Sequence, residues 1–236
     1  MKILAIDSSA TAASVCTAEE NKIIGEFFIN TRLTHSQTLI PMIEQLAKNT
    51  STELKEIEAI AVNAGPGSFT GVRIGVAAVK GLAFANNLPC IPVSTLESMA
   101  YNMLGNDCIV CSVMDARCSQ VYNAMFRVSS GKVKRLCDDR ALALSDLKLD
   151  LQKYSEKIVL VGDGAELCAE YLENSLDNVF LAPINNRTQT ATSVALAAFE
   201  SIKSGNTVSA AELMPVYLRL PQAQRELNKR LGEIKE

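Results

Sequence analysis

Gly65-Pro66-Gly67-Ser68-Phe69-Thr70-Gly71-Val72-Arg73-Ile74-Gly75 is the stretch on which the reading of the fold turns. Just before it, residues 59–63 form a short apolar run of buried-strand type that the Gly-Pro-Gly turn ends. Just after the turn, residues 70–84 read as a long apolar helix. Strand, glycine-rich turn and helix in that order make a parallel α/β unit. Toward the N-terminus, residues 2–6, 13–18 and 22–29 are β-leaning runs, with polar Glu19-Glu20-Asn21 turning the chain between the last two, so the chain opens as a meander. Leu39, Ile40, Met42, Ile43 and Leu46 then fall at helical spacing. Ser36 or Thr38 can cap that helix, and Pro41 is expected in its first turn or at a kink.

Toward the C-terminus the same order starts again. Strands are expected over 108–114, 120–128 and 133–137. A further strand over 158–161 ends in Gly162-Asp163-Gly164 and passes into a helix over 165–171, and another helix covers 191–203. The order βββαβα is thus expected twice, about a hundred residues apart, without a residue-level repeat. That duplication is the plan of the α/β actin/hexokinase/Hsp70-like superfamily. It predicts two domains, 1–105 and 106–214, and a tail over 215–236 that packs back on the first. From residue 219 onward Arg219, Arg225, Lys229, Arg230 and Lys235 face Glu226, Glu233 and Glu236, five positive charges against three negative. Helix, partial disorder and a partner contact are all open for the tail.

Composition excludes several classes. The chain of 236 residues, 48% hydrophobic, can bury a sizeable core. No apolar run approaches the roughly 20 residues of a membrane span, and Asp7 interrupts the opening apolar residues too early for a signal peptide, so a soluble cytoplasmic protein is expected. Seven scattered cysteines show no disulfide framework and read as reduced thiols. Cys108-x-x-Cys111 has no second pair at metal spacing, and on a strand its two thiols face opposite sides. A formal net charge of −3 offers the chain as a whole no strong drive toward nucleic acid, and with no Trp and 5% aromatics it lacks a base-stacking platform.

Three stretches resemble the TsaB (YeaZ) family: Ile3-Leu4-Ala5-Ile6-Asp7-Ser8-Ser9, the run 65–75, and Pro215-Val216-Tyr217-Leu218-Arg219. The run 65–75 is the specific one. Pro92-Val93-Ser94-Thr95-Leu96-Glu97 and Met114-Asp115-Ala116-Arg117 add to the likeness, which is fuller in the N-terminal half. The resemblance implies a non-catalytic scaffold or activator that binds its enzymatic paralogue TsaD, with the ATPase TsaE as a further partner. In isolation it implies a homodimer. Through the complex it would serve threonylcarbamoyl transfer to the adenosine beside the anticodon of tRNA, a modification abbreviated t6A. It implies no cofactor held by this chain, with ATP and a metal ion in the partner enzyme. Residues 118–120 depart from the more charged stretch common in the family, so no role is carried over to them.

Each candidate site also has a plain structural reading. Asp7-Ser8-Ser9 follows the first strand, where nucleotide-using members of the superfamily orient metal-bound phosphates; the same residues can simply close a turn. Gly162-Asp163-Gly164 stands where related folds hold adenosine, or it is a strand-to-helix turn with Asp163 as N-cap. Gly65-Pro66-Gly67-Ser68 lacks the lysine of a P-loop. His35 is the single histidine; the related enzyme resembles this segment with two histidines one helical turn apart, and here Leu39 stands at the second position, so no metal site of that type is expected. Gly71, Gly75 and Ala78 recur at helical spacing and form a small-residue strip, which serves either packing within the domain or a subunit interface. The resemblance favours an interface made by His35, Leu39, Met42 and Ile43 with Phe69, Gly71, Val72, Ile74, Gly75 and Ala78. A small-molecule kinase of the same superfamily and a metallopeptidase-like enzyme are the rival functions.

Overall fold

β1 (Lys2–Asp7) pairs antiparallel with β2 (Ala12–Glu19), which pairs antiparallel with the edge strand β3 (Lys22–Asn30). The chain in this computed structural model, which describes residues 1–31, 33–173 and 175–220, then crosses through α1 (His35–Thr50) to β4 (Ala59–Gly65), parallel to β1. It crosses again through α2 (Phe69–Asn86) to β5 (Cys90–Ser94), parallel to β4, giving a five-stranded sheet in the order β3-β2-β1-β4-β5. The short helix α3 (Thr95–Ala100) follows.

The second half repeats the plan. β6 (Cys108–Arg117) pairs antiparallel with β7 (Gln120–Ser129), and the third-strand position is shared by β8 (Lys132–Arg135) and β9 (Arg140–Ala143), both antiparallel to β7. α4 (Leu144–Leu151) leads to β10 (Ile158–Val161), parallel to β6, and α5 (Ala165–Leu172) leads to β11 (Val179–Leu181), parallel to β10. α6 (Ile184–Arg187) and α7 (Ala191–Lys203) complete the unit. The expected βββαβα order is present twice, each time followed by one more strand and a helix that crosses to the other sheet.

Side-chain alternation explains the layers. Along β1, Leu4 and Ile6 face a core closed by Leu39, Met42, Ile43 and Leu46 of α1 and Val72, Val76 and Val79 of α2. Ile3 and Ala5 face the other way, against Ala191, Val194, Ala195, Ala198 and Phe199 of α7. In the second sheet Ile109, Cys111 and Val113 face α4 and α5, while Val110 and Met114 face Leu96, Met99 and Ala100 of α3. Cys108 and Cys111 therefore lie on opposite faces of β6. Both central strands are buried on both faces, as parallel sheets flanked by helices require.

Two local expectations change. The helix expected from Leu39 begins at His35, so Pro41 lies inside it, on the exposed side where water can serve the carbonyl left without a donor. Neither Ser36 nor Thr38 caps it; the N-cap position is Thr34, without a side-chain cap bond. The charged tail residues from Arg225 onward lie outside the described residues.

Candidate functional site

A cleft of about 550 Å³ opens between the two sheets. Its first wall is the β1–β2 turn (Ser9, Ala10, Thr11), the start of α1 (Thr34, His35) and the start of α2 (Gly67 to Gly71). Its second is the β6–β7 hairpin (Met114 to Arg117), Tyr122 and Asp163, and Tyr217, Arg219 and Leu220 close the mouth.

The glycines of the run 65–75 are fixed by close approach inside the first lobe. A Cβ on Gly67 would run into the Ser9 carbonyl, one on Gly71 into the Ser8 carbonyl, and one on Gly75 into the Ser8 hydroxyl. That hydroxyl donates to the Gly71 carbonyl at 2.9 Å. Gly71 and Gly75 are thus buried against the β1–β2 turn. Leu39, Met42, Ile43 and Val72 lie in the core beneath α1 and α2. These six residues are buried in the domain's own packing: Gly71 and Gly75 of the small-residue strip face inward, while Ala78 stays partly exposed. Of the residues expected at an interface, Ile74, Ala78, Phe69 and His35 stay partly exposed. The outward surface of the helix pair also carries Ile40 and the highly exposed Phe84. Between α1, Leu82 of α2 and the α1–β4 connection (Thr52, Leu54, Ile57), Ile40, Ile43 and Ala47 line an apolar groove of about 210 Å³.

Two amides at the turn and the start of α2 are engaged within the fold. Ser68 N–H donates to the Ser9 carbonyl at 2.7 Å, and Ser68 caps α2 by accepting from Gly71 N–H at 3.2 Å. Asp7 is enclosed as well. Its Oδ1 accepts from the Ser9 hydroxyl at 2.7 Å, the Ser9 N–H at 3.3 Å and Asn63 Nδ2 at 2.7 Å, while Oδ2 is buried without a partner among the described residues. Burial pushes its carboxyl above the usual range, against the pull of those donors. Ser8 and Ser9 are buried beside it, so the first-strand motif closes a turn and presents no carboxylate to the cleft.

Asp163 behaves differently. It lines the cleft, open to water but walled by protein, and desolvation raises it to about 6 although Gln189 Nε2 donates to its Oδ1 at 3.1 Å; Asp115 and Asp7 add repulsion. It is not the N-cap of α5; that position is Gly164, and no side chain caps there. Gly162, at φ 108°, is needed because its backbone passes against the Val113 carbonyl, and Gly164 packs on the backbone of Met114 and Asp115. Only Asp163 of this triplet is among the residues lining the cleft.

His35 Nε2 donates to the Ala10 carbonyl at 2.7 Å, and its buried Nδ1 has no partner among the described residues. One turn on, Leu39 is packed in the core. Among the described residues no group of three His, Cys, Asp or Glu side chains is arranged to hold a metal. No described helix is long and apolar enough to cross a membrane.

Sequence reasoning missed the mouth of the cleft. The Arg73 guanidinium lies 3.6 Å over the Phe69 ring, Phe69 stacks on Tyr217 at 4.7 Å between centroids, and Arg73 Nε donates to the Tyr217 hydroxyl at 2.7 Å. The stretch 215–219 and the residues Asp115-Ala116-Arg117 were visible as likenesses, but nothing in the sequence says that they meet.

Two α/β lobes built on the same strand order and enclosing a cleft define a protein of the actin/hexokinase-like class. A family model described as "TsaD: tRNA N6-adenosine threonylcarbamoyltransferase" matches residues 23–226. A "tRNA threonylcarbamoyladenosine biosynthesis protein TsaB" of Escherichia coli (strain K12) is 31% identical, over 96% of this chain and 98% of its own. The protein of the same description from Bacillus subtilis (strain 168) is 28% identical, over 95% of this chain and 96% of its own. The solved structure of YeaZ from Pseudomonas aeruginosa superposes with a TM-score of 0.77 at 26% identity, covering 92% of this chain and 99% of that one. The chain belongs to the TsaB (YeaZ) family.

Proposed function

We propose that the chain acts in tRNA threonylcarbamoyladenosine biosynthesis as a non-catalytic subunit that binds the enzyme TsaD through the outer face of α1 and α2. The observation that carries the silent role is at His35 and Leu39. The single histidine spends its Nε2 on a backbone carbonyl, and the side chain one turn on is an apolar core residue without a lone pair. Asp7, enclosed by Ser9 and Asn63, agrees with it. On this reading the chain holds no cofactor, ATP and a metal ion belong to TsaD, TsaE joins as ATPase, and tRNA is met through the complex in the cytoplasm. A homodimer uses the same helix pair when TsaD is missing, so the two partners compete.

The surface for that contact is the apolar groove along α1. Its apolar rim, with exposed Ile40 and half-buried Leu82, suits the apolar face of a partner helix. Reconstituted tRNA modification with and without this chain tests the role; full activity on its omission would overturn it. Ile40→Asp tests the surface. The variant should remain folded and lose most TsaD in a pull-down, and undiminished capture would sink the assignment.

A second reading, weak nucleotide binding, is favoured by the cleft itself, where Asp115 and Asp163 stand opposite the start of α2. Calorimetry with ATP and magnesium separates the readings, because tight binding with turnover belongs to the kinase-like alternative.

A further inference from the structure

After α7 the chain returns along the first lobe. Val208 and Cys90 exchange backbone hydrogen bonds at 2.8 and 2.9 Å at the edge of β5, and Leu213 is buried in the core beneath α1 and α2. Lys80 Nζ donates to the Ala211 and Leu213 carbonyls, each at 3.0 Å. Val216 N–H then donates to the Ala64 carbonyl at 2.7 Å, and its own carbonyl fills the space that a Cβ on Gly65 would need. Tyr217 joins the stack of Phe69 and Arg73. Two residues later the same segment reaches the other lobe: Arg219 donates to the Ala116 carbonyl at 2.5 Å, and Leu220 lines the cleft beside it.

The two ends of the cleft are therefore joined in different ways. At the base the lobes are packed core to core, α3 on the second sheet and α7 on the first, with Asn102 Nδ2 donating to the Thr188 carbonyl at 2.8 Å. At the mouth, among the described residues, they are bridged by the segment 214–220. We propose that residues 214–220 are a strap that sets the width of the interlobe cleft, anchored on the first lobe and latched to the second by Arg219.

The strengths of the two attachments are unequal. The anchor combines a backbone hydrogen bond, an aromatic stack, a cation over a ring and a buried leucine upstream. Among the described residues the latch is one hydrogen bond from a half-buried arginine to a carbonyl. The latch releases first, so the cleft opens by losing Arg219 while the strap keeps its seat on β4 and α2. This makes Arg219 a positioning residue for the cleft, whatever the cleft holds, and the inference stands apart from the proposed partner function.

Pulsed electron paramagnetic resonance across the mouth tests it. Spin labels go on the exposed Cys118 of the β6–β7 hairpin and on Thr70→Cys, exposed at the start of α2, with Cys137→Ser to keep labelling specific. Dilution with excess unlabelled protein removes distances between copies. The parent should give one narrow distance. Arg219→Ala should lengthen and broaden it, Arg219→Lys should recover part of the parent distribution, and the Val216 amide should stay protected from hydrogen exchange in both. In Gly65→Ala, where the strap must lift from β4, that amide should exchange about tenfold faster or more. If Gly65→Ala does not fold, Arg219→Ala alone decides. An unchanged distance distribution in a folded Arg219→Ala protein would overturn the strap.

Discussion

Three glycines of α2 should respond to alanine with different signs. A glycine inside a helix costs about 1 kcal/mol relative to alanine, so Gly→Ala is stabilising wherever the added Cβ finds room. At Gly81 it does, since nothing stands within 4 Å of the new atom. Gly81→Ala should gain up to about 1 kcal/mol and raise Tm by about 2–4 °C for a chain of this size. At Gly71 the Cβ meets the Ser8 carbonyl, a backbone atom that moves only with the β1–β2 turn. Overpacking of about 1–3 kcal/mol, together with the buried Ser8–Gly71 hydrogen bond of about 1 kcal/mol, outweighs the propensity gain. Gly71→Ala should therefore lose about 2 kcal/mol, a fall of about 4–8 °C. Gly75 is intermediate, because the obstacle is the Ser8 hydroxyl, which can rotate away at the cost of its hydrogen bond; the net change should stay within about 1 kcal/mol. Thermal unfolding followed by circular dichroism at two protein concentrations gives the order, with concentration dependence marking any contribution from self-association. Gly71→Ala as stable as Gly81→Ala would refute the packing argument. Loss of partner binding by a Gly71 variant of parental stability would restore the interface reading of that strip.

Asp163, raised to about 6 in the cleft, binds its proton more tightly folded than unfolded, so it favours the folded state below pH 4 and that contribution disappears as pH rises through about 6. Asp163→Asn, which keeps the acceptor for Gln189, should be more stable than the parent at pH 7 and lose that advantage below pH 4; a stability gap independent of pH between 4 and 7 would contradict the assignment. Among the thiols, Cys118 is exposed and Cys137 half-buried, while burial pushes Cys16 and Cys168 up to about 12 and Cys111 well above its usual value. A chromogenic disulfide reagent should react fast with Cys118 in the native protein and reach the buried five only on unfolding; a fast phase larger than two thiols would disprove the burial pattern.

The strand-turn-helix around residue 65 was legible because its glycines, apolar run and helical spacing are all local. What the glycines touch was not, because Ser8 is more than sixty residues away in sequence and a small-residue strip looks the same whether it faces a partner or its own lobe. β5 was hidden by Pro92, which reads as a strand breaker; it is tolerated because β5 closes the edge of the ladder. β9 and β11, of four and three residues, are too short to show a period. α4 did carry a signal, Leu144, Leu147 and Leu151 at helical spacing, all three buried. Of the two acidic residues singled out from sequence, Asp7 is sealed by Ser9 and Asn63, while Asp163 lines the cavity, where Asp115, to which no role was given, joins it. Position after a strand is a sequence property; Asp7 is sealed by its own lobe, while the cavity that Asp115 and Asp163 line depends on how two lobes close.

That closure follows from where the last helix of each unit goes. α3 belongs by sequence to the first unit and packs on the second sheet, and α7 belongs to the second and packs on the first. The first sheet can take α7 closely because Ala5, Ala18, Ala59 and Ala61 line its face and Ala191, Ala195 and Ala198 line the helix, so small side chains meet on both sides. A cut between residues 105 and 106 would divide the sheets but leave Ile3, Ile91 and Val93 without their cover and strand Leu96 and Met99 away from theirs. The two lobes are thus separate as sheets and interlocked as cores. With the cores interlocked in this way, the proposed strap places any relative motion of the lobes on the side opposite the exchanged helices, the side that the segment 214–220 crosses.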